Sequence, residues 1–403
     1  MKRFLAMLLA VCMLLSLVTL AVADDTVNLL VWVGDDLDQD WINGVIENFK
    51  AANPDTTFDI KVGIVSEANS AATAMTDITA AADVYSIADD RLGDLVTAGA
   101  LQPISLNTED IIARNTTGSV AAATVDGTLY AYPATADNGY FMFYSKAYFT
   151  EEDVLTLDKM MEVAAANGKT VTMDWSSGWY LYSFFQGAGL EMTLSDDNTT
   201  NICNWNATDT PITGVQVVEA MLAIAANPGF INLTDSEFTT GIKDGSVIAG
   251  VNGTWNATVA QDAWGDDYAA TKLPTYTVAG EQVQMASFSG YKLVGVNAYS
   301  ANVGWAMMFA DYMTNEESQL SRFLLRNQGP SNLAAGASEE VQASPAIAAL
   351  AAQSAYATTQ RVGSNYWTPS STLGTIIYGG NADGTDLQTL LDNLVAGVTA
   401  PVN

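Results

Sequence analysis

The sequence predicts an α/β protein of two lobes. Three observations predict it. The chain has 403 residues, more than one ordinary core covers, which points to two lobes or domains. Hydrophobic residues make up 49% and charged residues 15%, so a sizeable core is available and a disordered chain is excluded. In the N-terminal part, short apolar runs alternate with helical periodicity, the pattern of an open parallel sheet flanked by helices.

The elements follow in chain order. Met1-Lys2-Arg3 is basic, Phe4 to Leu20 is apolar, and Ala21-Val22-Ala23 fits a small-x-small cleavage site. We expect a secretory signal peptide over 1–23, with the exported chain starting near Asp24. A membrane anchor is the alternative, against which the short apolar run and the clear cleavage site weigh. A lipid-attachment reading at Leu9-Ala10-Val11-Cys12 fits poorly at Val11. Beyond the leader only Cys203 remains, so no internal disulfide is expected.

Thr26 to Val33 reads as a buried strand and Gly34-Asp35-Asp36 as a turn. From Leu37 the period becomes helical, with Trp41, Val45, Ile46 and Phe49 on one face and Asn53-Pro54 as the stop. Phe58 to Ile64 is a second strand. Ala71, Ala72, Met75 and Ile78 give a helix face, and Asp83 to Ile87 a third strand. A short helix through Leu92, Leu95 and Val96 ends at Gly99. Ligands on such sheets bind beyond the carboxyl ends of the strands, where Asp35, Asp36, Asp89, Asp90 and Arg91 fall.

Further on, Thr128 to Thr135 and Phe141 to Tyr144 read as strands, with Ala136-Asp137-Asn138-Gly139 between them as a crossover to the second lobe. A helix is expected over Glu151 to Ala166, a strand over Thr170 to Met173 and an aromatic helix over Trp179 to Gly187. Residues 195–210 are polar and read as a loop. Val215 to Ala226 is an apolar helix and Ser246 to Val251 a buried strand. Asn252-Gly253 reads as a turn that presents Trp255, a residue that fits a core and a cleft equally well on this stretch alone. Lys272 to Thr277 and Leu293 to Val296 read as strands, and Val303 to Tyr312 as a helix. Gln328-Gly329-Pro330 breaks the chain; the remainder is Ala-rich and helical, with a break at Gly379-Gly380.

Charge and composition exclude several functions. Fifteen Lys and Arg face 45 Asp and Glu, a formal charge of −30, so the surface repels nucleic acid and disfavours anionic substrates. Histidine is absent, which removes Ser-His-Asp and Cys-His catalysis and the commonest metal ligand. A carboxylate pair acting on glycosides needs neither and stays open.

Four stretches carry a family likeness. They are Leu29-Leu30-Val31-Trp32 before its turn; Asp83 to Ile104 with Asp89-Asp90-Arg91-Leu92; Asp126-Gly127-Thr128-Leu129-Tyr130-Ala131-Tyr132-Pro133; and Asp244-Gly245-Ser246 through Asn252-Gly253-Thr254-Trp255, followed by Leu273-Pro274-Thr275. In this order, behind a leader, the chain resembles the extracellular solute-binding proteins of carbohydrate ABC transporters, the maltose/maltodextrin-binding type in particular. The resemblance implies a periplasmic-binding-protein-like fold of type II, two hinge-connected lobes with the ligand cleft between them. Residues 24–136 and 290–332 would form the N-terminal lobe, and 137–289 and 333–403 the C-terminal lobe. The crossings would fall near Thr135–Tyr140, Ser287–Gly290 and Ser331–Ala335.

The resemblance also implies site residues. Carboxylates accept sugar hydroxyls and aromatic rings cover the C–H face of a pyranose. Asp90 and Arg91 match the family's Asp-Arg pair, Asp137 stands for a glutamate after the Tyr-Pro motif, and Trp255 matches a stacking tryptophan. Asp35 and Asp36 fall near a ligand-contacting turn, although a lysine found there in the family is an aspartate here. Trp179 stands near a family tyrosine, and Tyr366 and Trp367 near a C-terminal tryptophan, while the aromatic expected at 87 is Ile87. Each residue also has a purely structural reading: Asp90 as a helix-start charge, Asp137 as a hinge brace, the aromatics as core.

Two classes of function remain. The first is a binding protein, without cofactor or metal. It would capture a neutral mono- or oligosaccharide, most directly maltose or a maltodextrin. As a monomer in the periplasm or at the outer face of the membrane, it would hand the sugar to permease subunits. The second is a secreted carboxylate-pair glycoside hydrolase.

Overall fold

A computed structural model describes residues 26–195 and 199–401. The expected signal peptide and the site at Cys12 lie outside the described residues. The first sheet has the order Phe58–Ile64, Val27–Val33, Val84–Ala88, Lys292–Val296, Ala131–Thr135. The first three strands are parallel, and Lys292–Val296 runs antiparallel to both of its neighbours. The helix Gln39–Ala52 buries Trp41, Ile42, Val45, Ile46 and Phe49, positions spaced so that one stripe faces the core. Phe49 meets Phe58 and Phe309 edge-on at 5.2 and 5.1 Å.

The second sheet has the order Phe230–Ile231, Thr170–Thr172, Val247–Asn252, Phe141–Ser145, Tyr268–Thr271. Its first three strands are parallel and its last two antiparallel to their neighbours. An aromatic core lies beside it, where Phe185 stacks on Trp205 at 4.1 Å. The helix Trp367–Tyr378 packs closely there: a Cβ on Gly374 would fall 1.8 Å from the Trp175 carbonyl oxygen, so only glycine fits. Cys203 packs against this core, and burial pushes its thiol up to about 12.

The chain passes from the first sheet to the second over 136–140 and returns over 272–291. A third passage lies between the helix Glu316–Arg326, which packs on the first lobe's Gln39–Ala52, and Pro345–Gln353, which packs on the second sheet. Strand Ser287–Ser289 pairs in parallel with Ala357–Thr359. These passages border a cavity of about 180 Å³ whose lining includes Asp137, Asn138, Phe288 and Gln353.

The structure departs from the sequence reading at identifiable places. The strand expected over Thr128–Thr135 is split. Thr128–Leu129 pairs with Thr124–Val125 across a turn in which Asp126 and Gly127 both take positive φ, 49° and 76°. The helix expected from Glu151 starts at Leu157, because Thr156 caps it by accepting from Lys159 N. The polar stretch 195–210 contains a strand, Asn201–Cys203, paired with Met192–Leu194. The strand expected over Lys272–Thr277 starts only at Thr275, after Pro274, which has no N–H for a ladder, and a separate strand, Tyr268–Thr271, precedes it. The helix Asp235–Asp244 was not expected, although the Thr234–Glu237 capping box announces it.

A buried charge network fixes the helix Glu316–Arg326 to the first lobe. Asp38 is 0% exposed and takes Arg326 Nε at 2.9 Å and Arg322 Nη2 at 3.4 Å. The Arg322 guanidinium lies 4.7 Å over the Trp41 ring, and Trp41 Nε1 donates to Ser318 O. Removing one partner leaves buried charge without compensation. Asp38→Ala is therefore expected to lower the unfolding free energy by about 3–5 kcal/mol in urea titration, and a loss below about 1 kcal/mol would remove the network from the account of stability.

Candidate functional site

The parallel strands of the first sheet end at Val33, Ile64 and Ala88, and those of the second at Ile231, Thr172 and Asn252. Contacts between the segments beside these ends bring the two carboxyl edges together. Lys292 Nζ, on the strand beside Ala88, lies 5.2 Å over the ring of Trp255 at the end of Val247–Asn252. Arg361 Nη1 donates to Asp89 at 3.1 Å, and Gln360 Nε2 to Asp90 at 2.7 Å.

The second-lobe wall is built around Trp255. Gly253 lets the indole fold back on the backbone: a Cβ there would fall 2.0 Å from a ring carbon. Asp235, at the start of its helix, accepts from Asn252 Nδ2 at 2.8 Å, Asn256 Nδ2 at 3.1 Å and Trp255 Nε1 at 3.4 Å. The indole is thus held half-buried, with a carboxylate at its edge and an ammonium over its face. Asp174 stands on the neighbouring loop and accepts from the backbone and hydroxyl of Ser176. Burial raises its carboxyl above the ordinary range, and Asp235 and Glu237 add to the shift.

On the first-lobe wall, Glu67 begins the helix Glu67–Thr76 that follows the strand Phe58–Ile64. Burial opposes its charge, but Lys292 and Arg322 outweigh it and hold its carboxyl low. Asp89 is 4% exposed and accepts from Tyr291 N as well as Arg361; burial still raises its carboxyl. Asp90 is partly exposed, and burial, then the adjacent Asp89, push it up to about 6.

The expected site residues do not form one cluster. Trp255 and Asp90 stand at the facing edges. Arg91 turns back onto Asp94 at 2.8 Å. Asp35 caps its own turn through Leu37 N and reaches Arg326, and Asp36 is exposed. Trp179 stacks on Phe288 at 5.4 Å and meets Tyr140 edge-on, so it sits against the crossings. Trp367 lines an open groove of about 420 Å³ with Ser371, Thr372 and Ile376.

Two of the expected residues are buried. Tyr366 is 0% exposed and donates its hydroxyl to Gly178 O, so it is a packing residue under Trp367 rather than a wall of the cleft. Asp137 is 1% exposed; Oδ2 accepts from Gly329 N and Thr254 Oγ1 and braces the crossings, while Oδ1 has no hydrogen-bond partner among the described residues and the residue lines the cavity between the passages. Sequence reasoning missed Glu67, Lys292, Asp174, Asp235, Gln360 and Arg361. Glu67 follows a strand end just as Asp35 and Asp90 do, and Lys292 is a buried cation that opens an otherwise apolar strand. Both signals were present in the sequence.

This is the geometry of a two-lobed α/β protein whose two sheets face each other by their carboxyl edges. Residues 44–349 match the bacterial extracellular solute-binding proteins, and the chain belongs to that family. The galactooligosaccharide-binding protein of Bacillus subtilis (strain 168) is 26% identical over 321 residues, 75% of this chain and 73% of that protein. A solved structure with acarbose is 28% identical, covers 93% of this chain and 99% of its own, and superposes with a TM-score of 0.82. The maltodextrin-binding protein MalE1 of L. casei BL23, solved without ligand, is 23% identical over 93% of this chain and 99% of its own, with a TM-score of 0.75. The fold is the two-lobe, maltose-binding-protein-like one, and the chain is a solute-binding protein, not a hydrolase.

The shift at Asp90 has a thermodynamic sign. A folded-state value of about 6, above the ordinary 3.8, means that the fold disfavours the charged form. The stability tied to this group is full below 3.8 and is lost as pH rises through about 6. Asp90→Asn is expected to melt higher than the parent at pH 7 and to lose that advantage near pH 3.8. An equal difference at both pH values, in parallel thermal melts, rules this account out.

Proposed function

We propose that the chain captures a neutral oligosaccharide, of the maltodextrin or a related class, and delivers it to a membrane permease. The observation that carries the reading is Trp255, a half-buried indole at the junction of two sheet edges, with Asp235 at its edge and Lys292 over it. An indole covers the C–H face of a pyranose, and flanking carboxylates accept its hydroxyls. The relatives described with acarbose and as a galactooligosaccharide-binding protein support a sugar over other solutes. Asp90, Trp179 and Trp367 would line the same cleft, and Asp35, Asp36 and Arg91 its rim.

In this reading residues 24–136 with 290–332, and 137–289 with 333–403, are the lobes that rotate about the three passages. Ligand bridges the facing edges and favours closure by its extra contacts with the closed state. The family's extracellular character supports export, with the permease on the membrane as partner.

Calorimetry with maltotriose and a panel of neutral oligosaccharides tests the proposal. Tight binding without new reducing ends is expected. Trp255→Ala should weaken the best ligand by about 1–3 kcal/mol if stacking there is a hot spot. Unchanged affinity in a folded Trp255→Ala protein would falsify the role given to that ring.

A further inference from the structure

Lys292 is 6% exposed, and its ammonium carries three N–H donors. Its partner Glu67 Oε1 is 3.9 Å away, beyond a hydrogen bond, and no hydrogen bond of Lys292 Nζ is found among the described residues. The Trp255 ring offers a further contact at 5.2 Å, which attracts the charge but accepts no hydrogen bond along its edge. Nζ is not among the fully enclosed unpartnered atoms, so its donors are open to acceptors at the sheet edge. The strand holds Lys292 between Ala88 and Thr135, so the side chain emerges at the sheet edge that faces Trp255.

Glu67 is its counterpart. Oε1 accepts from Arg322 Nη2 at 3.2 Å, and the carboxylate also takes the residue's own backbone N–H. The carboxylate packs against Gly34, where a Cβ would overlap it at 2.1 Å. A donor and an acceptor thus stand beside one aromatic ring. The linked ionic groups around them balance: Asp35, Asp38 and Glu67 against Lys292, Arg322 and Arg326, three of each sign. Asp235 stands at the far edge of the ring. A site with no net positive charge and a carboxylate beside it does not favour an anion. A neutral diol suits it, because each hydroxyl both gives and takes a hydrogen bond.

We propose that Lys292 and Glu67 are ligand-binding residues, and that together they read two neighbouring hydroxyls of the sugar ring placed on Trp255. The inference rests on the sugar reading above. Lys292 donates to one hydroxyl oxygen and Glu67 accepts from the next. The pair sets specificity by requiring both hydroxyls on the same edge of the ring.

The test uses the full chain, with maltotriose, galactotriose and other neutral trisaccharides as probes, and then monodeoxy analogues of whichever binds best. Lys292→Met keeps length and apolar bulk while removing the donors; Glu67→Gln keeps shape while removing the anionic acceptor. Each is expected to weaken the parent sugar about 10- to 100-fold in calorimetry. One monodeoxy analogue should lose affinity for the unmodified protein yet bind Lys292→Met no more weakly than the parent sugar does, a coupling that a structural lysine does not produce. If the unmodified protein binds none of the neutral sugars, the sugar reading itself falls and this inference with it. If it binds and every analogue loses equally in the unmodified and Lys292→Met proteins, this inference alone is overturned. Should Lys292→Met fail to fold, the same comparison on Glu67→Gln decides: loss of coupling with one analogue supports the pair, and equal losses overturn it.

Discussion

One buried carboxylate ties the two lobes to each other. Asp137 lies on the first passage between the sheets. It accepts the backbone N–H of Gly329 on the third passage and the hydroxyl of Thr254 at the end of a second-sheet strand. At 1% exposure these bonds replace water on one oxygen, Oδ2, while Oδ1 has no hydrogen-bond partner among the described residues. Three segments far apart in sequence are thereby fixed at one point. The neighbour of Thr254 is Trp255, so the hinge brace and the aromatic wall share a backbone.

Around that point the two lobes are stabilised differently. The first is fastened by charge: Asp38, Arg322 and Arg326 hold a C-terminal helix against an N-terminal sheet, with Trp41 beneath. The second is fastened by aromatic packing, with Trp205, Phe185 and Tyr366 in contact. The difference has a structural reason. In the first lobe the C-terminal segments return beside the strand-end loops, where backbone turns and carboxylates already stand. In the second, the helix Trp367–Tyr378 returns onto apolar helix faces, where glycine at 374 permits close approach.

Much of the fold was legible in the sequence. The strand Phe58–Ile64 and the helix built on Trp41, Val45, Ile46 and Phe49 follow from period alone, because burial on one face writes itself into spacing. What escaped was local chemistry set by one residue, such as Pro274 or the Asp126-Gly127 turn. The site was less legible. Trp255 and Asp90 lie where the strand-end rule puts them. Asp137 and Tyr366 carry the same residue types, yet they face inward, and nothing in a linear chain says which way a hinge residue points. Lys292 and Gln360 reach the site from distant segments, which only the folded topology brings near.

Cys203 shows how the second lobe handles its thiol. The reactive form of cysteine is the thiolate. Burial pushes the thiol up to about 12, so at neutral pH it stays protonated. In an oxidising compartment the lobe would therefore keep its chemistry inert without any partner sulfur, through packing alone.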